Sequence, residues 1–233
     1  MGASGATPKA FASPDSFGVV SLRRFLEERF PKSHVSTPGY FCSGVSRLDQ
    51  AIGGGLPKSA ITELITPQTS AGSASLLQGL IQSGQRHGYF LALIDGRDSF
   101  DPGPLGNESL RCLLWVRCRQ ALEAIKAADL LLRDGNFPLV IVDLVLNPLA
   151  ELRRIPQTTW YRLQRLVEAS PSACLVLTRQ SMVASAKLKI VLENSWMLES
   201  LQNEEACSGL QFRIQHSHLP EIRNQSSKVR KTS

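Results

Sequence analysis

The sequence has no C-x-x-C pair, no internal repeat and no uninterrupted apolar run long enough to span a bilayer. Its five cysteines, Cys42, Cys112, Cys118, Cys174 and Cys207, are odd in number and scattered, so neither a disulfide framework nor a zinc site is signalled. The first 18 residues lack the continuous apolar segment of a signal peptide. These absences predict a soluble, unexported cytoplasmic protein with reduced thiols. Charge of one sign is not strongly dominant: the formal charge of +6 and pI near 9.3 permit contact with nucleic acid or an acidic protein without establishing it. What the chain does have is 42% hydrophobic residues in 233, enough for one sizeable α/β domain with extensions.

The organising stretch is Ser43 to Gln82, SGVSRLDQAIGGGLPKSAITELITPQTSAGSASLLQGLIQ. Ser46, with Asp49 three residues on, reads as the start of a short helix, and Gly53-Gly54-Gly55 as its end, where positive φ is needed. Ile61 to Ile65 reads as a strand. A loop from Thr66 to Ser73 follows, and then Leu76, Leu77, Leu80 and Ile81 at helical spacing. Strand, loop and helix in that order are the setting of a phosphate-binding P-loop, whose pattern is G-x-x-x-x-G-K-[ST]. In the natural register Thr66 stands at the first glycine, Ala71 at the second and Gly72 at the lysine; Ser73 alone matches. No lysine lies between Lys58 and Lys126, so no local shift of register restores the cation. With the lysine missing, Ser73 reads better as a helix N-cap.

The remaining chain alternates apolar strands with helices. Val19 to Phe30 forms an amphipathic helix closed by Pro31. Strands are predicted over Tyr89–Asp95, Leu113–Val116, Leu139–Leu144 and Cys174–Thr178, and helices around Ala121–Leu132 and Trp160–Val167. Such alternation implies an α/β fold with a mostly parallel sheet covered by helices on both faces. Ile190–Leu201 and the alternating Leu210–Ile214 add an antiparallel C-terminal edge. The expected organisation is a flexible lead-in with one helix over residues 1–40, an α/β domain over 41–216 and a basic, disordered tail over 217–233. Trp115, Trp160 and Trp196 lie in apolar patterns and read as core, not as base-stacking platforms.

The pieces SGVSRLDQAIGGGLPKSAITEL, LALIDGRDSFDP, QALEAIKAADLLLRDGNFPLVIVDL and LVLTRQ, in this order and spacing, resemble the RecA ATPase core, from about Ser43 to Ile214. More particularly they resemble the ImuA proteins, short RecA-like relatives linked to damage-induced translesion DNA synthesis. SulA-like proteins are a more distant likeness. The resemblance implies a RecA-like core with a vestigial nucleotide pocket at Ser70, Gly72, Ser73, Asp143 and Gln180. By position Asp143 matches the aspartate that assists magnesium, and Gln180 matches the glutamine that senses the terminal phosphate. The glutamate that activates water in active relatives falls on Arg97, with Asp98 beside it as a substitute. On residues alone, Asp143 reads as the cap of the following loop, Gln180 as a loop amide and Arg97 as a solvated charge.

With both the phosphate-loop lysine and the water-activating carboxylate displaced, efficient phosphoryl transfer is not expected. No obligatory cofactor or metal is expected, though weak ATP binding stays open. The DNA-contacting loops of RecA correspond to Asn147–Pro156 and Ser181–Leu188. Arg153, Arg154 and Lys187 in these loops and Lys189 just beyond, together with Lys228, Arg230 and Lys231 of the tail, are candidate nucleic-acid or partner contacts, with solvated charge as the competing reading. The resemblance implies a catalytically degenerate accessory protein of the DNA damage (SOS) response. It would bind a Y-family-like polymerase homologue, RecA or both, with DNA contact weak or indirect. The alternatives are a divergent DNA-stimulated ATPase that uses Asp98 and a cation from another subunit, and a SulA-like inhibitor of cell division.

Overall fold

The computed structural model describes residues 39–68, 72–193 and 210–218, together with Arg24, Glu28 and Arg29. Most of the lead-in, the tail from residue 219, and Thr69–Ala71 lie outside the described residues, and so do Ser70, Lys228, Arg230 and Lys231. Arg24, Glu28 and Arg29 have helical backbone and exposed side chains, with Arg24 and Glu28 paired at 3.3 Å, as expected for the polar side of the N-terminal helix.

The elements run β1 (Tyr40–Phe41), α1 (Ser46–Ala51), β2 (Leu56–Pro57), β3 (Ala60–Ile65), α2 (Ser73–Arg86), β4 (Leu91–Asp95), α3 (Asn107–Arg111), β5 (Leu113–Arg117), α4 (Ala121–Asp134), β6 (Leu139–Asp143), α5 (Leu149–Leu152), α6 (Gln157–Glu168), β7 (Ala173–Thr178), β8 (Leu188–Leu192) and β9 (Phe212–Ser217). Strands β3 to β9 build one seven-stranded sheet in the order β5-β4-β6-β7-β3-β8-β9. Every pair is parallel except β8 with β9, so the mostly parallel sheet with an antiparallel C-terminal edge is observed.

Two hydrophobic cores lie on opposite faces of this sheet, because successive strand residues point to opposite sides. On one face Ala92, Ile94, Val140, Val142, Cys174 and Val176 pack under α4 and α6. On the other Leu91, Leu93, Leu139, Ile141, Leu175 and Leu177 pack under α1 and α2. Trp160 is fully buried in the first core and Trp115 packs partly buried on the second, so both behave as core residues; Trp196 lies outside the described residues. Of the thiols, burial pushes Cys174 up to about 12 and raises Cys118, and neither is paired. No helix among the described residues is long and apolar enough to cross a membrane.

Several local expectations are corrected. Ser46 does not cap α1; it is the first helical residue, and Asp49 instead reaches back to accept the Ser43 N–H at 2.9 Å. Just before this helix, β1 pairs with β2 in a small antiparallel ladder that no sequence pattern announces. Gly55 sits at φ +138, and a Cβ there would lie 2.4 Å from the Phe41 carbonyl oxygen, so only glycine lets these two-residue strands approach. The segment Asn147–Pro156 is not an open loop but carries α5.

Candidate functional site

The site is assembled at the C-terminal ends of β3, β4 and β6, the edge of an open parallel sheet where ligands bind. A cleft of about 370 Å³ opens there between the first turn of α2 and the segment after β4. Ser73, Ala74 and Ser75 line one wall, Ser99, Phe100, Asp101 and Leu105 the other, and Asp143, Val145 and Leu146 the floor.

The α2 wall is fixed by the turn before it. Gly72 is the N-cap residue, with φ +91 and ψ 11, a left-handed conformation that glycine adopts freely. Ser73 is therefore the first residue of the helix and not its cap, as the sequence alone allowed. Thr66, at the position of a first P-loop glycine, is buried and tied to β7: its N–H and its hydroxyl donate to the Thr178 carbonyl at 2.8 and 3.2 Å.

The opposite wall hangs on Asp95. Its buried carboxylate accepts the backbone N–H groups of Arg97 (3.2 Å), Ser99 (2.8 Å) and Phe100 (2.7 Å). Phe100 then packs edge-on against Trp115, with ring centroids 5.4 Å apart. No motif of the sequence marks Asp95; its one local signal is an aspartate ending an apolar strand before a Gly-containing turn, where a short carboxylate can satisfy the following N–H groups.

At the floor, Asp143 Oδ1 accepts the Val145 N–H at 3.0 Å, and among the described residues Oδ2 takes no hydrogen bond. Burial, and the register-paired Asp95 carboxylate on β4, push its pKa up to about 6 against the single hydrogen bond that lowers it. Asp143 thus caps its own loop, as the plainer reading had it, and also faces the cleft.

The structure brings together Ser73 and Asp143, with Gly72 setting the helix start. Gln180 is half-buried and does not line the cleft among the described residues. Arg97 and Asp98 do not line it either. Arg97 Nη1 donates to the Arg119 carbonyl at 3.0 Å, and exposed Asp98 forms a two-point ion pair with Arg117, which holds its carboxyl below the usual range. No lysine or arginine lines the cleft among the described residues, and Thr69, Ser70 and Ala71, between Gln68 and Gly72, carry no charge. The cleft is lined by two carboxylates, Asp143 and Asp101, and its one positive feature is the partial charge of the α2 N-terminus. This set does not fit a nucleoside triphosphate, whose charge requires cations at the outer phosphates.

The basic candidates separate. Arg153 and Arg154 are exposed and make no ion pair among the described residues. Lys187 is instead engaged with Glu168 at 3.3 Å. Lys189 is withdrawn from solvent, with Nζ 2.7 Å from the fully buried Glu63 carboxylate. That carboxylate also accepts the N–H groups of Met182 (2.7 Å) and Val183 (3.0 Å), so the segment that corresponds to a DNA-contacting loop of RecA is pinned to β3.

A family profile described as the RecA N-terminal domain matches residues 15–158. The match takes in part of the stretch read as a lead-in and ends before β7. The chain is 35% identical over 143 residues to the protein RecA of Leifsonia xyli subsp. xyli, covering 58% of this chain and 38% of that protein. It is 29% identical over 181 residues to the protein RecA of Chlorobaculum tepidum, covering 66% and 52%. A DNA repair protein recA homolog 1, chloroplastic, of Arabidopsis thaliana is 35% identical over 117 residues, covering 48% and 26%. The chain thus spans about half or less of the length of these relatives.

Proposed function

The chain belongs to the RecA N-terminal domain family, and from that premise we propose that it is a non-hydrolysing RecA-like accessory protein of DNA damage tolerance, of ImuA type. It would act by binding a polymerase-like partner, RecA or both. The observation that carries this reading is the cleft at the ends of β3, β4 and β6: carboxylates stand where a triphosphate would need cations. The engagement of Asp98 with Arg117 favours it over hydrolysis with Asp98 as base, because a carboxylate held in a two-point ion pair is a poor proton acceptor. The pinned segment after β7 also favours a binding role over strand exchange, which requires loops free to follow DNA.

The test is steady-state phosphate release by the full chain, with and without single-stranded DNA, beside the Asp143→Asn variant. Equal and negligible rates are expected. A clear rate abolished by Asp143→Asn would establish hydrolysis instead. Sedimentation of the same protein with purified RecA and with a Y-family polymerase homologue tests the partner half, and co-sedimentation with neither removes it.

A further inference from the structure

Where a nucleotide would enter, the cleft offers a negative floor, walls of mixed serine and apolar side chains, and an apolar lip. Asp143 presents an oxygen without a hydrogen bond among the described residues, and Asp101 adds a second carboxylate at the exposed rim. Between them Leu77, Phe100, Leu105 and Val145 supply an apolar passage. That combination matches a long cationic side chain, whose methylene stem lies on apolar surface while its head reaches a carboxylate. The mouth extends the match to a macromolecule: Leu146, which lines the cleft, is 51% exposed. A free small cation would have no use for this lip, whereas a protein segment carrying an arginine or lysine beside apolar residues would cover it.

We propose that the cleft is a socket for an arginine or lysine side chain presented by a protein partner, with the half-buried Asp143 as the counter-charge and Asp101 as the rim guide. The proposal rests on the non-hydrolysing reading above and names the chemistry by which the partner is held. The partial positive charge at the α2 N-terminus amounts to about half an elementary charge against the carboxylates of Asp143 and Asp101, so once Asp143 is ionised, above about pH 6, the balance inside the cleft favours a cation. The groups facing Asp143 are Asp95 beside it on β4, Asp101 on the same cleft wall as Phe100, and the uncharged Leu177 of β7 and Ser73 of α2. Insertion of a cation therefore meets no competing basic group among the described residues.

The experiment titrates the ¹⁵N-labelled full chain with N-acetyl-arginine amide, its uncharged isostere N-acetyl-citrulline amide, Mg²⁺ alone and MgATP, reading the Val145, Leu146 and Phe100 amides. Saturable shifts with the arginine amide are expected, tightening as pH rises through about 6, where Asp143 ionises. Asp143→Asn should weaken them at least about tenfold, and Asp101→Asn, at an exposed position where the amide oxygen can still accept the Gly103 N–H, by a smaller factor. Equal binding of the citrulline amide, no saturable response to arginine, or capture of the same amides by Mg²⁺ alone would each overturn the socket while leaving the non-hydrolysing reading in place. MgATP binding with turnover would overturn both.

Discussion

Glu63 and Lys189 are register partners on the adjacent parallel strands β3 and β8, and Lys189 Nζ lies 2.7 Å from Glu63 Oε2 inside the protein. The same carboxylate takes the Met182 and Val183 N–H groups and the Thr178 hydroxyl at 3.2 Å. One buried charge therefore ties three consecutive parts of the chain together: the end of β7, the segment after it and the strand that follows.

Removing one partner of such a pair leaves the other charge buried and alone. Glu63→Ala should cost about 3–5 kcal/mol, and Lys189→Ala a similar amount. Denaturant unfolding of the two single variants and the double measures it. The double variant should lose less than the sum of the singles, and simple additivity would show that the pair is not coupled.

Asp143 titrates in the opposite sense to a paired carboxylate. Its pKa is raised in the fold from 3.8 to about 6, so its protonated form is favoured, and that contribution is complete below pH 4 and lost as pH climbs through 6. Asp143→Asn should then stabilise the protein at pH 7 to 8 by up to about 3 kcal/mol and change little at pH 4. Melting curves across this range check the sign; a variant less stable at pH 8 than the parent would contradict it.

Gly72 occupies the lysine position of the P-loop register, but its φ of +91 is not one a lysine adopts without strain. Gly72→Lys should lower stability by about 1–2 kcal/mol and produce no ATPase activity, because it restores a charge without restoring the loop. A rise in phosphate release on this substitution would show that the missing cation alone silences the site.

Gly96 joins β4 to the segment that forms the cleft wall. Its N–H donates to the Asp143 carbonyl at 2.9 Å and its own carbonyl accepts from Asn147 Nδ2 at 2.9 Å. A Cβ here would lie 2.4 Å from Asn147 Oδ1 and 2.7 Å from the Asp143 carbonyl oxygen. Gly96→Ala should cost about 1–3 kcal/mol by overpacking and disturb the Asp143 environment. Both effects are read by melting and by the Val145 amide shift.

Arg153 and Arg154 are the exposed, unpaired members of the basic set among the described residues. If they meet phosphates, Arg153→Ala with Arg154→Ala should reduce the slope of log affinity against log salt by about 1.4 for single-stranded DNA, without changing sequence preference. An unchanged slope would assign them to solvent. Lys187→Ala should leave the slope as it is, since that charge is already taken by Glu168.

The central strands were legible because β4, β6 and β7 are buried on both faces, and such strands read as continuous apolar runs. The same rule hid the start of β8. Lys189 looks like a loop charge, yet it lies in the strand and is neutralised by a glutamate 126 positions away in the chain, a pairing that no local pattern encodes. Tyr89 and Phe90 were read into β4 for their apolarity, whereas the strand begins at Leu91. In the site, Asp143 was legible from its place at the end of a strand. The support given by Asp95 was not, because its value lies in three backbone N–H groups that converge only after the chain has turned.

The alternation of Leu139, Val140, Ile141 and Val142 between the two cores has a consequence for how the molecule comes apart. A strand whose neighbouring residues belong to different layers cannot release one layer and keep the other ordered, since slipping by a single residue would exchange the contents of both. The helices α4 and α6 on one side and α1 and α2 on the other are thus bound to a common fate through the sheet. Amide protons of β4, β6 and β7 should therefore share one opening event, as a single switch with no half-open position would.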